Sequence, residues 1–172
     1  MGIISIENLE NLAKKGNGDA QYELGLRYYR GIGVPADYGK AREYLESAVN
    51  NGVNSAAYYL GVIYYNGKGT PTNHIKAKEY FEKSEANNNV FSSYYLGKLY
   101  YWGDGVEKNL QKANEYKAKV LAKPFFSNQD TDTKNFYSFT DFEGASRTYA
   151  TNLQKKVQNE FANLFGNENN NI

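Results

Sequence analysis

Residues 58–70 read YYLGVIYYNGKGT, four tyrosines and three glycines around a Leu-Gly pair. The stretch decides the fold because it recurs. Moving 36 residues back gives YELGLRYYRGIGV at 22–34, and moving 36 forward gives YYLGKLYYWGDGV at 94–106. Longer windows starting at Asp19, Ser55 and Phe91 superpose without a gap, with eleven columns identical in all three copies. Those columns include Tyr22/Tyr58/Tyr94, Leu24/Leu60/Leu96, Tyr28/Tyr64/Tyr100, Lys40/Lys76/Lys112 and Tyr44/Tyr80/Tyr116. Self-similarity at a fixed period of this length marks a repeat architecture, in which one supersecondary unit stacks on the next.

Each unit reads as two helices. In the first, about residues 20–30, Ala20, Leu24 and Tyr28 fall at i, i+4 and i+8, one face of a 3.6-residue helix. It ends at Gly31-x-Gly33, where residues without Cβ take the positive φ of a tight helix exit. The second helix opens at Asp37, Asn73 or Asn109, each able to accept from the free N–H groups of a helix start. Its apolar positions Ala41, Tyr44, Leu45 and Ala48 follow, and Gly52, Asn88 or Pro124 closes it. Gly25, inside the first helix, costs about 1 kcal/mol relative to alanine, which predicts close approach of a neighbouring helix. Subtracting 36 once more places Ser5, Leu9, Ala13 and Gly16 under Ala41, Leu45, Val49 and Gly52, so the N-terminus reads as a second helix without its first.

The remaining composition narrows the function. Twenty Lys+Arg against nineteen Asp+Glu leave a formal charge of +1, with no net field to draw a nucleic acid or an anionic membrane. No apolar run reaches the roughly 18 residues of a membrane span. The start lacks the basic and apolar regions of a signal peptide, so the expected location is cytoplasmic. With no cysteine there is neither a disulfide framework nor a thiolate nucleophile or zinc ligand.

The pattern Ala-x-x-x-Leu-Gly-x-x-Tyr-x-x-Gly-x-Gly-Val-x-x-Asp-x-x-Lys-Ala-x-x-Tyr, from Ala20 to Tyr44, resembles the Sel1-like repeat family, relatives of tetratricopeptide repeats. The second and third copies depart mildly, with Thr70 for Val34, Glu107 for Pro35 and Leu110 for Tyr38. The resemblance implies an all-α, right-handed α/α superhelical solenoid whose relatives mostly act as adaptors for proteins or peptides. The expected organisation is a half repeat at 1–18, repeats at 19–54, 55–90 and 91–124, a loop and capping helix at 125–166, and a disordered tail at 167–172. Within 125–166 the register is lost, and a helical stripe of Phe142, Tyr149, Leu153, Val157, Phe161, Leu164 and Phe165 returns. That stripe is expected to cover the end of the third repeat or to fold back into the groove.

Candidate chemistry is sparse. His74, the one histidine, shares a column with Tyr38 and Leu110 at a helix start and reads as structural or exposed rather than catalytic. No Gly-x-x-x-x-Gly-Lys-Ser/Thr occurs, so the paired glycines are turn residues rather than a phosphate cradle. Asp130 and Asp132 lack the glycine and distal glutamate of a calcium loop. Some Sel1-like proteins are associated with β-lactam hydrolysis, yet no serine here has a lysine three residues on. The chain is thus read as no enzyme, with no metal, no cofactor and no small-molecule substrate.

Binding residues are expected on the first helices. Tyr22, Leu26 and Tyr29 form a stripe about 160 to 200 degrees around from Ala20 and Leu24. By analogy with tetratricopeptide repeats it would line a concave groove of Tyr22, Tyr29, Arg30, Tyr58, Tyr65, Asn66, Tyr94, Lys98, Tyr101 and Trp102. Tyr29, Tyr65, Tyr101 and Trp102 are expected to be exposed, and Tyr28, Tyr64 and Tyr100 to be core. The leading function is a scaffold holding a protein or peptide. An inhibitor or immunity protein against a toxin or effector, and an enzyme with an unrecognised site in 125–145, are the alternatives.

Overall fold

The computed structural model describes residues 4–122 together with Asn159, Glu160 and Asn163. Residues 4–122 form seven helices and no strand: α1 (Ile6–Lys14), α2 (Gly18–Arg30), α3 (Tyr38–Asn50), α4 (Ala56–Asn66), α5 (His74–Glu85), α6 (Val90–Trp102) and α7 (Leu110–Ala122). The expected capping helix and tail lie outside the described residues, apart from the three C-terminal residues just named.

The helix starts follow from their caps. Asp37, Asn73 and Asn109 each accept from the backbone N–H three residues on, at 2.9 Å in all three copies. Ser5 does the same for α1, accepting from Asn8 N at 3.2 Å, but one turn later in the register than Asp37, so the half-repeat helix starts later than the full ones. The first helix starts at Gly18, two residues before the apolar pattern, because Asn17 accepts from Ala20 N. At the exits, Gly31, Gly67 and Gly103 take φ of 72°, 66° and 80° and return their N–H groups to Arg27, Ile63 and Leu99. The second helix of the middle repeat is followed by Asn88 at φ 64°, in the column of Gly16 and Gly52. Asparagine is among the few residues that enter this left-handed region readily.

Packing proceeds pair by pair: α2 on α3, α4 on α5 and α6 on α7, with each pair also meeting its chain neighbours. Leu24, Leu45, Leu60, Phe81 and Leu96 are fully buried. Gly25 explains itself here, since a Cβ on it would lie 2.6 Å from Leu45 Cγ, and one on Gly61 would lie 2.5 Å from the Phe81 ring. The helix-propensity cost of these glycines is offset by the close approach of the paired helix.

The invariant Lys and Tyr columns build one motif three times. Tyr44, Tyr80 and Tyr116 stack nearly parallel on Tyr28, Tyr64 and Tyr100, with centroids 5.8, 5.7 and 5.9 Å apart. Lys40, Lys76 and Lys112 place Nζ over the same Tyr28, Tyr64 and Tyr100 rings at 5.1, 5.0 and 5.0 Å. Tyr28 and Tyr64 also reach the preceding repeat unit, donating to Glu10 at 3.5 Å and to Glu46 at 2.7 Å. Tyr28, Tyr64 and Tyr100 are buried, as their helical position predicts.

Candidate partner-binding face

The first helices α2, α4 and α6 bring their tyrosine stripes into mutual ring contact. Tyr59 meets Tyr22 at 6.2 Å and Tyr29 at 5.6 Å, joining α4 to α2. One repeat later, Tyr95 meets Tyr58 at 6.4 Å and Tyr65 at 4.9 Å, joining α6 to α4. Tyr95 also stacks flat on Phe81, with centroids 4.6 Å apart. The doublets of the opening stretch therefore divide their work: Tyr58 lies on the stripe, and Tyr59 bridges to the previous repeat.

This geometry corrects the expected exposure. Tyr29, Tyr65 and Tyr101 are half-buried rather than exposed, and only Trp102, at 54 % exposure, stands well out. Tyr29 is flanked by Tyr38 and Tyr59, and Tyr65 by His74, Phe81 and Tyr95. The stripe is shared between packing of successive repeats and the surface. Tyr22 and Tyr58 are half-buried, Asn66 is exposed with its amide donating to Val62 O, and Tyr94 is buried at 7 % exposure.

Cations frame the tyrosines. Arg30 Nη2 donates to the Tyr59 hydroxyl at 3.0 Å, and Lys68 Nζ donates to the Tyr29 hydroxyl at 3.2 Å. Lys98, half-buried, sits over Tyr65 and Tyr94 at 5.6 and 5.3 Å, and Lys108 over Tyr101 at 5.7 Å. Burial pushes the Tyr58 hydroxyl well above the usual tyrosine range. Burial, then the negative charge of Asp104, raises that of Tyr65. Tyr95 is pushed up to about 12, chiefly by burial. Such hydroxyls keep their protons at neutral pH and remain hydrogen-bond donors. The face offers flat apolar area, neutral O–H donors and ammonium or guanidinium groups, a set that matches carboxylates and backbone carbonyls.

Helical-wheel reasoning identified the stripe and missed Tyr59, Tyr95 and Lys68. The signal available was the change from Tyr-Glu at 22–23 to Tyr-Tyr at 58–59 and 94–95. A tyrosine replaces glutamate only where another repeat precedes it. Among the described residues no group of three or more His, Cys, Asp or Glu could hold a metal ion, and no helix is long and apolar enough to cross a membrane. His74 lies against the Tyr65 ring at 5.2 Å. The stretch 125–145, where an enzyme site is the alternative, lies outside the described residues.

Comparison with known proteins agrees with this architecture. No curated protein matches the chain significantly in sequence. A solved structure of a protective antigen from uropathogenic Escherichia coli displaying an SLR fold superposes with a TM-score of 0.65 at 25 % identity, over 83 % of this chain. The present chain spans 29 % of that protein's length. A Sel1 repeat protein from Oxalobacter formigenes gives a TM-score of 0.58 at 26 % identity, over 77 % of this chain and 97 % of its own. The family model of the Sel1 repeat matches residues 18–53, 54–89 and 90–116, more than half of the 172 residues. The chain belongs to the Sel1 repeat family.

Proposed function

We propose that this protein is a non-enzymatic scaffold that holds a protein or peptide segment on the first-helix face formed by α2, α4 and α6. Sel1 repeats generally mediate protein–protein interaction, which supports the class of function. The observation that carries the specific reading is the cluster of Tyr65, Tyr94, Lys98 and Tyr101 beside the exposed Trp102. Tyrosine and tryptophan supply contact area with a polar tip at low entropic cost and dominate the energetics of interfaces. The proton-bearing hydroxyls and the lysines favour a partner that presents carboxylates or free carbonyls along an apolar strip.

The test is affinity capture from the native source by the full chain, in parallel with a Trp102→Ala/Lys98→Ala variant shown to melt normally. The reading expects a protein retained by the wild-type chain and lost from the variant. Equal retention by both would place the interface elsewhere.

A further inference from the structure

The three copies of one column differ in a way the repeat does not explain. Tyr22 and Tyr58 are half-buried, whereas their counterpart Tyr94 is buried at 7 % exposure. Tyr58 owes its cover to the following repeat, through Phe91 at 5.9 Å and Tyr95 at 6.4 Å. Adding 36 to those two positions gives Ser127 and Thr131, in the stretch where the repeat pattern has ended.

One contact identifies what stands over this end. The Tyr94 hydroxyl donates to a carboxylate oxygen of Glu160, 66 residues further along the chain. Lys98 places its Nζ over the Tyr94 ring at 5.3 Å. Burial and the Glu160 bond keep the Tyr94 proton in place, so the hydroxyl stays a donor. The sequence around Glu160 has the right character, with Tyr149, Leu153, Val157 and Phe161 recurring every four residues. Glu160 is itself exposed, so the bond is open to water on one side.

We infer that Glu160 occupies the third-repeat end of the first-helix face in cis, its carboxylate an internal ligand on Tyr94 that an external partner must displace. This deepens the proposed scaffold reading and rests on it for the displacement step alone. The occupant belongs to this chain, and its chemistry names the competitor class: a peptide presenting a carboxylate to the Tyr94 hydroxyl.

The chain lacks cysteine, so spin labels at Lys83→Cys and Asn163→Cys, both exposed positions, report one distance in the full chain. The expected result is a single narrow distance distribution that is unchanged when labelled chain is diluted with unlabelled chain. Tyr94→Phe keeps the ring and removes the donor. It is expected to raise the undocked, broad component about tenfold, the effect of losing one hydrogen bond to a charged group. Glu160→Lys should abolish the narrow component. A broad distribution in the unmodified chain overturns the inference. So does a narrow one that disappears on dilution, which would mean docking onto a second copy, or one that survives Glu160→Lys. These outcomes are independent of partner capture. A docked segment with no partner retained would count against the scaffold reading alone.

Discussion

Tyr64 on α4 donates its hydroxyl to Glu46 Oε1 on α3 at 2.7 Å, tying the middle repeat to the one before it. The equivalent bond one repeat earlier, from Tyr28 to Glu10, is stretched to 3.5 Å, the outer limit of a hydrogen bond. The same column should therefore respond unequally to loss of the hydroxyl. Tyr64→Phe is expected to cost about 1 to 2 kcal/mol, and Tyr28→Phe only a few tenths. For a chain of this size the first shifts the melting temperature down by roughly 3 to 6 °C. Equal shifts in the two variants would show that the hydroxyl contacts contribute nothing specific. Truncation of either ring to alanine removes the stack as well and should cost about 3 to 5 kcal/mol.

Gly61→Ala gains helix propensity of about 1 kcal/mol and still should destabilise. The new Cβ would fall 2.5 Å from two carbons of Phe81, a ring that is fully buried and stacked on Tyr95. Overpacking of this kind costs about 1 to 3 kcal/mol. Chemical denaturation of the single variant checks the sign, and a more stable Gly61→Ala protein would refute the close-approach account of the invariant glycine column.

Ser92 occupies the column of Ala20 and Ala56 and is fully buried, and among the described residues its hydroxyl has no hydrogen-bond partner. A buried donor left unpaired costs about 1 to 3 kcal/mol. Restoring the repeat's own residue, Ser92→Ala, should raise stability by about 1 kcal/mol without altering any packed contact. A loss of stability would reveal a partner for that hydroxyl.

The repeat period, the seven helices of the described residues, the Asp37, Asn73 and Asn109 caps and the burial of Tyr28, Tyr64 and Tyr100 were legible because each depends on residues within one turn or one 36-residue offset. The half-burial of Tyr29 and Tyr65 was not. A helical wheel gives the direction of a side chain but not how near the next first helix comes, and that distance is set by stacking of whole units. Tyr59 and Tyr95 were overlooked for the same reason: they sit one position off the stripe and act only across repeats. The Tyr94–Glu160 bond joins a repeat to a stretch outside the repeat pattern, where no column exists to predict a partner.

The tyrosine-rich packing also fixes an alkaline limit. Tyr64, Tyr95 and Tyr116 are each pushed up to about 12, from an ordinary value of 10, with burial the largest cause in every case. A group whose folded pKa lies above its unfolded value contributes stability that is fully present below the unfolded pKa and lost as pH rises through the folded one. Stability should thus be level up to about pH 9 and fall between about 10 and 12, with a slope approaching 1.4 kcal/mol per pH unit for each such tyrosine. Tyrosinate absorbance should rise together with loss of helical circular dichroism. Ionisation of the full tyrosine set before unfolding would contradict the assignment of these rings to packed sites.

The central claim is that the partner sits on the first-helix face. Among the described residues of the three full repeats, the exposed large apolar side chains are Trp102, at 54 % on α6, and Ile75, at 60 % on the second helix α5. Titration calorimetry of the captured partner against Trp102→Ala and Ile75→Ala separates the two faces. We predict that Trp102→Ala weakens Kd by about fivefold or more, the effect of losing at least 1 kcal/mol at an aromatic anchor, while Ile75→Ala binds as the wild type. Weakening by Ile75→Ala with Trp102→Ala unaffected would contradict the account.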